Sequence, residues 1–421
     1  MKEIPHNITP MQNQIPELLM PAGNMSKLKV ALAYGADAVY VGASGLSMRP
    51  DDASMSPDQL AGAVDYAHSA GKRLYVGVNT LVTEGELDEL RSFVDAVDGI
   101  PFDAVIVADL AAFTLFRERY PDLRIHISTQ LSTANSLAAG FWKDAGCSRI
   151  VLARECTLED ASSIASETGL EVEIFGHGAM CVAVSGRCLI SAATCGHSAS
   201  KGHCKHSCRW NWSLVEEKRP GRHFSVVEVE KGTFLMGSKD LCLIEHIPAI
   251  VKSGISSIKV EGRMKGEFYV ATVARTYRAA LDLYASSPES WAVDPGWMRE
   301  LTSVSHRPHS TGFAFGYPQR DPASLQTTNM YQATHDFVGV VNSLDGDVHT
   351  IDVKNVFSVG EELEWIGPSW TGGYVKVAEI LFEDESRERS HCGTIVQVRF
   401  EDGTQLNESS VLRRLIKDRE E

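Results

Sequence analysis

Short runs of aliphatic and β-branched residues alternate with amphipathic stretches through the first 285 positions. The runs fall at 17–20, 38–41, 74–78, 104–107, 124–128, 149–152, 171–175 and 257–260, and each reads as a buried strand. Between them, 27–34, 57–70, 86–97 and 134–145 carry apolar residues at helical spacing, with turn signals such as Gly35-Ala36-Asp37 and Ala145-Gly146 before the next strand. Eight such units in about 270 residues predict an α/β fold, a closed (β/α)8 TIM-like barrel rather than an open doubly wound sheet. One connection breaks the rhythm. After the seventh strand the chain runs from Gly176 to Asp240 before the next helical pattern, far beyond an ordinary βα loop. Residues 286–335, rich in Ser, Pro, Asp and Gly and containing His306-Arg307-Pro308-His309, read as a linker. Beyond it, 337–341, 349–353, 361–366, 374–382 and 394–400 are strand-like runs without helices, which predicts a small C-terminal all-β barrel. The expected organisation is a tail (1–15), a barrel (16–285) with an insertion (176–240), a linker (286–335) and a β domain (336–421).

Hydrophobic residues at 43% and charged residues at 23% are ordinary for a globular chain, which sets aside disorder and coiled coil. The start Met1-Lys2-Glu3-Ile4-Pro5 has no apolar run behind it, and no stretch of about 18 apolar residues occurs. A cytoplasmic protein without signal peptide or membrane span is therefore expected. The formal charge of −15 argues against a surface that coats nucleic acid, so any such partner must meet a local basic patch. The acidity concentrates in 331–421, with 9 Lys+Arg against 18 Asp+Glu.

Cysteine placement changes the picture most. Of nine, five lie between Cys181 and Cys208, where even scatter would put about 0.6. An odd total without a secretory leader speaks for a metal or redox site over a disulfide framework. The pattern lacks the Cys-x2-Cys knuckles of a zinc ribbon, and Cys204-x3-Cys208 is followed by Arg209, Trp210 and Asn211 rather than by the third cysteine of the radical S-adenosylmethionine run. Dispersed thiols suit an iron–sulfur cluster. In a barrel, strand C-termini and helix N-termini share one face; Cys181 and Cys188 follow the seventh strand and Cys242 is expected to begin the seventh helix, returning to that face. The fourth ligand is Cys204 or Cys208. A zinc staple assisted by His197, His203 or His206 is the competing reading.

Ordered blocks carry a resemblance. Glu173-Ile174-Phe175-Gly176-His177-Gly178-Ala179-Met180-Cys181 and Ser185-Gly186-Arg187-Cys188-Leu189-Ile190-Ser191 resemble the signature of the collagenase-like peptidase family U32. The blocks 17–24, 35–42, 202–210, 238–242 and 258–265 resemble others of that family. The resemblance implies a barrel with an oxygen-sensitive 4Fe-4S cluster and, for the closest branch, oxygen-independent tRNA hydroxylation to 5-hydroxyuridine at the wobble position, with prephenate as hydroxyl source. It implies cluster ligands at Cys181, Cys188, Cys204 and Cys242, with Cys208 as the alternative to Cys204. It implies as partners tRNA through its anticodon loop, a small-molecule hydroxyl donor and iron–sulfur assembly proteins. Hydroxylation of rRNA or of a ubiquinone precursor is the related alternative.

Strand alternation places Tyr75, Gly77 and Asn79 on one face, His126, Ser128 and Gln130 on another, and Lys259 with Glu261. If these faces point into the barrel, Asn79, Gln130, Lys259 and Glu261 would hold a polar substrate, and Arg154 and Arg263, just past strands six and eight, would clamp carboxylates or a phosphate. A satisfied hydrogen-bond network is the bland alternative. In 197–223, six Lys+Arg against two Glu, with Trp210 and Trp212 among them, form a local basic stretch; given the resemblance, Lys201, Lys205, Arg209 and Trp210 are candidate RNA contacts. His177 is a further substrate-binding candidate; its place near Cys181 also invites a thiol-peptidase reading, and a non-catalytic metal-dependent scaffold is a third class.

Overall fold

A computed structural model describes residues 14–49, 53–181, 185–186, 188, 190–195, 204–205, 207–209, 227–229, 232–234, 238–316, 331–401 and 403–416. They fall into two compact units, one drawn from 14–24, 37–264 and 307–316, the other from 25–36, 265–306 and 331–416.

In the first unit, strands β1 (Glu17–Pro21), β2 (Ala38–Gly42), β3 (Arg73–Val78), β4 (Ala104–Val107), β5 (Arg124–Ile127), β6 (Arg149–Val151) and β7 (Glu171–Ala179) lie parallel in sequence order. The insertion after β7 carries a hairpin, β8 (Val227–Val229) and β9 (Gly232–Phe234), and then β10 (Asp240–Cys242). Strand β11 (Ser257–Val260) pairs with both β7 and β1, which closes an eight-stranded parallel barrel. Strands such as Ala-Val-Tyr-Val-Gly in β2 and Ala-Val-Ile-Val in β4 are buried at every position, which is why they read as continuous apolar runs rather than alternating ones. Helix starts follow local chemistry. Ser56 accepts from the Gln59 N–H ahead of Pro57 in the first turn, and Thr157 accepts from the Asp160 N–H, each completing a capping box.

Two expectations are corrected. Cys242 does not begin a helix: β7 runs on to Ala179, and β10 pairs with that end antiparallel, Asp240 opposite Ala179 and Cys242 opposite His177. The helix starts later, at Ile247, with Pro248 in its first turn. Nor is 286–335 only a linker. It contains the helix Pro295–Ser303, capped by Asp294, and β12 (His309–Ser310), which pairs in parallel with β10. The tail residues 1–13 lie outside the described residues.

The second unit holds the helices Met25–Ala33, Glu267–Ser286 and Pro295–Ser303 together with an antiparallel sheet. Its strands are β13 (His335–Asp345), β14 (Val348–Val353), β15 (Glu362–Ile366), β16 (Gly372–Phe382), β17 (Glu385–Arg387), β18 (Ile395–Phe400) and β19 (Val411–Leu415). Pairing of β15 with β16 closes six of them into a small barrel around Val341, Ile351, Leu363, Val377 and Leu412, and β17 extends β16 at the edge. Sequence reading missed β17 and β19, because Glu-Ser-Arg and the arginine pair of Val-Leu-Arg-Arg-Leu break the apolar pattern. Among the described residues, no helix is long and apolar enough to cross a membrane.

Candidate functional site

Side chains at alternate strand positions enter the barrel, and the deeper ones form a closed polar network. The Arg149 guanidinium donates to Glu17 (2.7 Å) and Glu173 (3.0 Å), Lys259 donates to Glu173 (2.8 Å), and the Tyr75 hydroxyl donates to Glu17 (2.7 Å). Each buried charge here faces an opposite one, as burial requires. The fully buried His126 packs edge-on against Tyr75. Burial, then the charge of Arg149, pushes its pKa well below the usual imidazole value, so the ring is neutral at physiological pH.

Above this layer, at the C-terminal ends of the strands, lies a pocket of about 540 Å³ that is partly open to solvent. Active sites of such barrels sit at this end. Asn79, Gln130, Arg154, Lys259, Glu261 and Arg263 all line it, so six of the seven substrate-binding candidates come together. The seventh, His177, is buried on β7, with its ring 5.6 Å from that of His309. Arg49, which sequence reading missed, donates to Glu261 at 2.6 Å. It arrives on the loop after β2 with no local signal beyond its position past a strand end. Arg263 donates to Ser47 at 2.6 Å, and a Cβ on Gly42 would collide with that guanidinium and with the Ser47 hydroxyl, so glycine makes the room.

The electrostatics favour an anion. Arg49, Arg154, Lys259 and Arg263 face the pocket, and among the described residues Glu261 is its one lining carboxylate. Burial raises the Glu261 carboxyl, but the charge and hydrogen bond of Arg49, with Arg154 and Arg263 behind, outweigh it and hold the group below its ordinary value. Burial, then Arg49, pushes Arg263 down to about 10, and burial lowers Arg154 and Lys259 as well. The three arginines remain cations at neutral pH, and Lys259 keeps Glu173 as its counter-ion. Arg154 stacks on Phe175 at 4.0 Å and keeps its buried Nε without a hydrogen-bond partner. Among the described residues no carboxylate lies within ion-pair distance of it. A bound carboxylate or phosphate would supply both the charge and the acceptor.

None of the nine cysteines is in a disulfide. Cys181 is exposed just past β7, Cys188 is half-buried, and Cys242 is buried on β10 opposite His177. Cys181 and Cys242 therefore share the C-terminal end of β7. Cys181 lies close enough to Arg154, and Cys204 to Arg49, to act on them electrostatically, so two of these thiols sit near the pocket arginines. Cys204 also lies 3.9 Å from the Ser191 hydroxyl, in a local cluster where Cys195 donates to the Ser191 carbonyl. Among the described residues, no three Cys, His, Asp or Glu side chains converge as a metal cage. The donor chemistry, four or five thiols on one stretch and its return strand, fits an iron–sulfur cluster better than a hard cation.

The RNA candidates are only partly within the description. Lys201 and Trp210 lie outside the described residues, as do His197, His203 and His206; Lys205 is exposed, and Arg209 ends the turn Ser207–Arg209 beside Cys208.

Residues 23–323 match the profile of peptidase family U32, and residues 333–413 match that of the family's C-terminal domain. The chain is 35% identical over 375 residues to tRNA hydroxylation protein P1 of Bacillus subtilis, covering 89% of this chain and 88% of that protein. It is 36% identical over 266 residues to the 23S rRNA 5-hydroxycytidine C2501 synthase of Escherichia coli, covering 63% of this chain and 39% of that protein. It is 28% identical over 402 residues to a collagenase of Porphyromonas gingivalis, covering 91% and 94%.

Proposed function

The chain belongs to peptidase family U32, and from that premise we propose that it is an RNA hydroxylase converting a tRNA wobble uridine to 5-hydroxyuridine, with an anionic hydroxyl donor such as prephenate held in the barrel pocket. The observation that carries this reading is Arg154, half-buried, its Nε without a hydrogen-bond partner and, among the described residues, no carboxylate within ion-pair distance, in a pocket whose described lining holds four basic side chains and one carboxylate. A peptide-cleaving site has no need of that excess, whereas a small polyanion does.

Arg154 and Arg263 would bind the donor's carboxylates, one from each side of the barrel mouth. Lys259 is held upright by Glu173, and Asn79 accepts from the Met48 N–H at 3.1 Å, so both present fixed polar groups to the ligand. Glu261, pinned by Arg49, would orient a hydroxyl or a base edge as a hydrogen-bond acceptor. The residues that would hold a 4Fe-4S cluster are Cys181, Cys188, Cys204 and Cys242, with Cys208 as the alternative to Cys204. When bound, that cluster would supply redox or Lewis-acid chemistry at an iron site. Lys201, Lys205, Arg209 and Trp210 would meet the anticodon loop, where unstacked bases are open to aromatic and cationic contact. Iron–sulfur assembly proteins would load the cluster.

Nucleoside analysis of tRNA from a deletion strain tests this, with complementation by the wild type, Cys181→Ala and Cys242→Ala. Loss of 5-hydroxyuridine-derived nucleosides, restored by wild type alone, is the expected result. Intact tRNA modification with altered rRNA or quinone would transfer the same site to the related substrates. The collagenase relative favours a second reading, proteolysis through Cys181 and His177. It predicts cleavage of a collagen peptide by the purified protein that Cys181→Ala abolishes.

A further inference from the structure

Among the described residues between Cys181 and Cys188, Ser185 carries the hydrogen bonds to the barrel. Ser185, only 3% exposed, bonds through all of its polar groups. Its N–H donates to Glu155 Oε1 at 3.1 Å, and its hydroxyl donates to Glu155 Oε2 at 3.1 Å. The same hydroxyl oxygen accepts from the Arg154 N–H at 3.2 Å, and its carbonyl accepts from the Ser132 hydroxyl. The next residue, Gly186, has φ +75°, and a Cβ there would overlap the Gln130 carbonyl. Ser185 and Gly186 thus rest against the loops after β5 and β6.

These contacts have a specific geometry. Arg154 and Gln130 grip the segment with backbone atoms while lining the pocket themselves. The thiols three positions after and four positions before Ser185 are thereby tied to the residues that face the anion site. We infer that Glu155 is a positioning residue: its carboxylate, accepting twice from Ser185, seats the Cys181–Cys188 segment in fixed relation to the pocket. The seating itself needs no cluster; its consequence for metal retention rests on the function proposed above.

The test uses the full chain, metal-free and reduced, with iodoacetamide labelling of each cysteine followed by mass spectrometry. Glu155→Ala is expected to raise the labelling rate of Cys188 about tenfold relative to Cys392, the factor given by about 1.4 kcal/mol, which is the low end for hydrogen bonds to a charged acceptor. Glu155→Gln, which keeps one acceptor oxygen, falls between. Glu159→Ala, an exposed neighbour, leaves the rate unchanged. Cys147, buried in the barrel wall, reports on general loosening: it stays protected if Glu155 acts on the segment and becomes labelled if the substitution merely destabilises the fold. If Glu155→Ala does not fold, Ser185→Ala against Ser185→Thr makes the same measurement, with threonine restoring protection. Equal Cys188 rates in the wild type and in Glu155→Ala, or in Ser185→Ala should the former not fold, would overturn the inference, as would labelling of Cys147 in step with Cys188. In anaerobically purified protein, Glu155→Ala should also lose iron to a chelator several-fold faster. Wild-type protein without iron would remove the cluster proposal and leave the labelling result to decide the role of Glu155.

Discussion

Arg154 shows how a single residue sets what the pocket accepts. A guanidinium that is stacked, half-buried and, among the described residues, without a carboxylate within ion-pair distance costs desolvation that the fold repays only in part. Arg154→Met should therefore leave the melting temperature unchanged or raised, while the KM for an anionic co-substrate rises about 10- to 100-fold, the worth of one charge-assisted contact. An unchanged KM would remove Arg154 from ligand binding. Glu261→Gln has the opposite character, because it leaves Arg49 beside a neutral amide; a loss of about 3 kcal/mol or more in denaturant unfolding is expected. The lining residues on strands or within a few positions of their ends, such as Lys259, Asn79 and Glu261, were legible in sequence, since period-two alternation fixes which side chains enter a barrel. Arg49 was not, because a loop has no period.

At the scale of elements, β7 does more than close the barrel. Its last residues bend around Gly178, at φ +109°, where a Cβ would press into the Glu261 backbone carbonyl. Gly178→Ala should cost about 2–4 kcal/mol through backbone strain and overlap together, lowering the melting temperature by roughly 5 °C or more. Gly169→Ala is the contrast: φ +67° ends a helix, no atom lies within 4 Å of the added Cβ, and about 1 kcal/mol is expected. Equal losses at the two sites would show that the contact with Glu261 carries no weight. The extension of β7 was hidden because Gly176-His177-Gly178 reads as a break. What makes it a strand is β10 on one side and β11 on the other. Cys242 was misplaced for the same reason, since its strand exists only through pairing. The Asp240–Arg307 ion pair, with Nη2 to Oδ1 at 2.6 Å, ties the start of that strand to residues that looked like linker.

At the scale of the molecule, the second unit is held by a charge network as well as an apolar core. Arg413, 4% exposed, donates to Glu300 (2.8 Å) and Glu364 (2.7 Å), and His335 lies 3.1 Å from Glu364. Burial raises Glu364, but hydrogen bonds from His335 and Arg413 outweigh it and hold the carboxyl at about 2. A folded value below the unfolded one means that this stabilisation is complete above roughly pH 4.3 and is lost as pH falls from there toward 2. The stability gap between wild type and Glu364→Gln, about 1–2 kcal/mol after solvent screening, should therefore hold steady at pH 5–6 and close on acidification. A gap that does not change with pH would show that the carboxyl is not so stabilised. Sequence alone determined the eight βα units, the β-rich tail domain and the crowding of thiols after the seventh strand, because these follow from local periodicity and residue identity. Only the tertiary structure decided which polar side chains neutralise one another beneath the pocket and which remain exposed to a ligand within it, because that depends on distances between strands far apart in the chain.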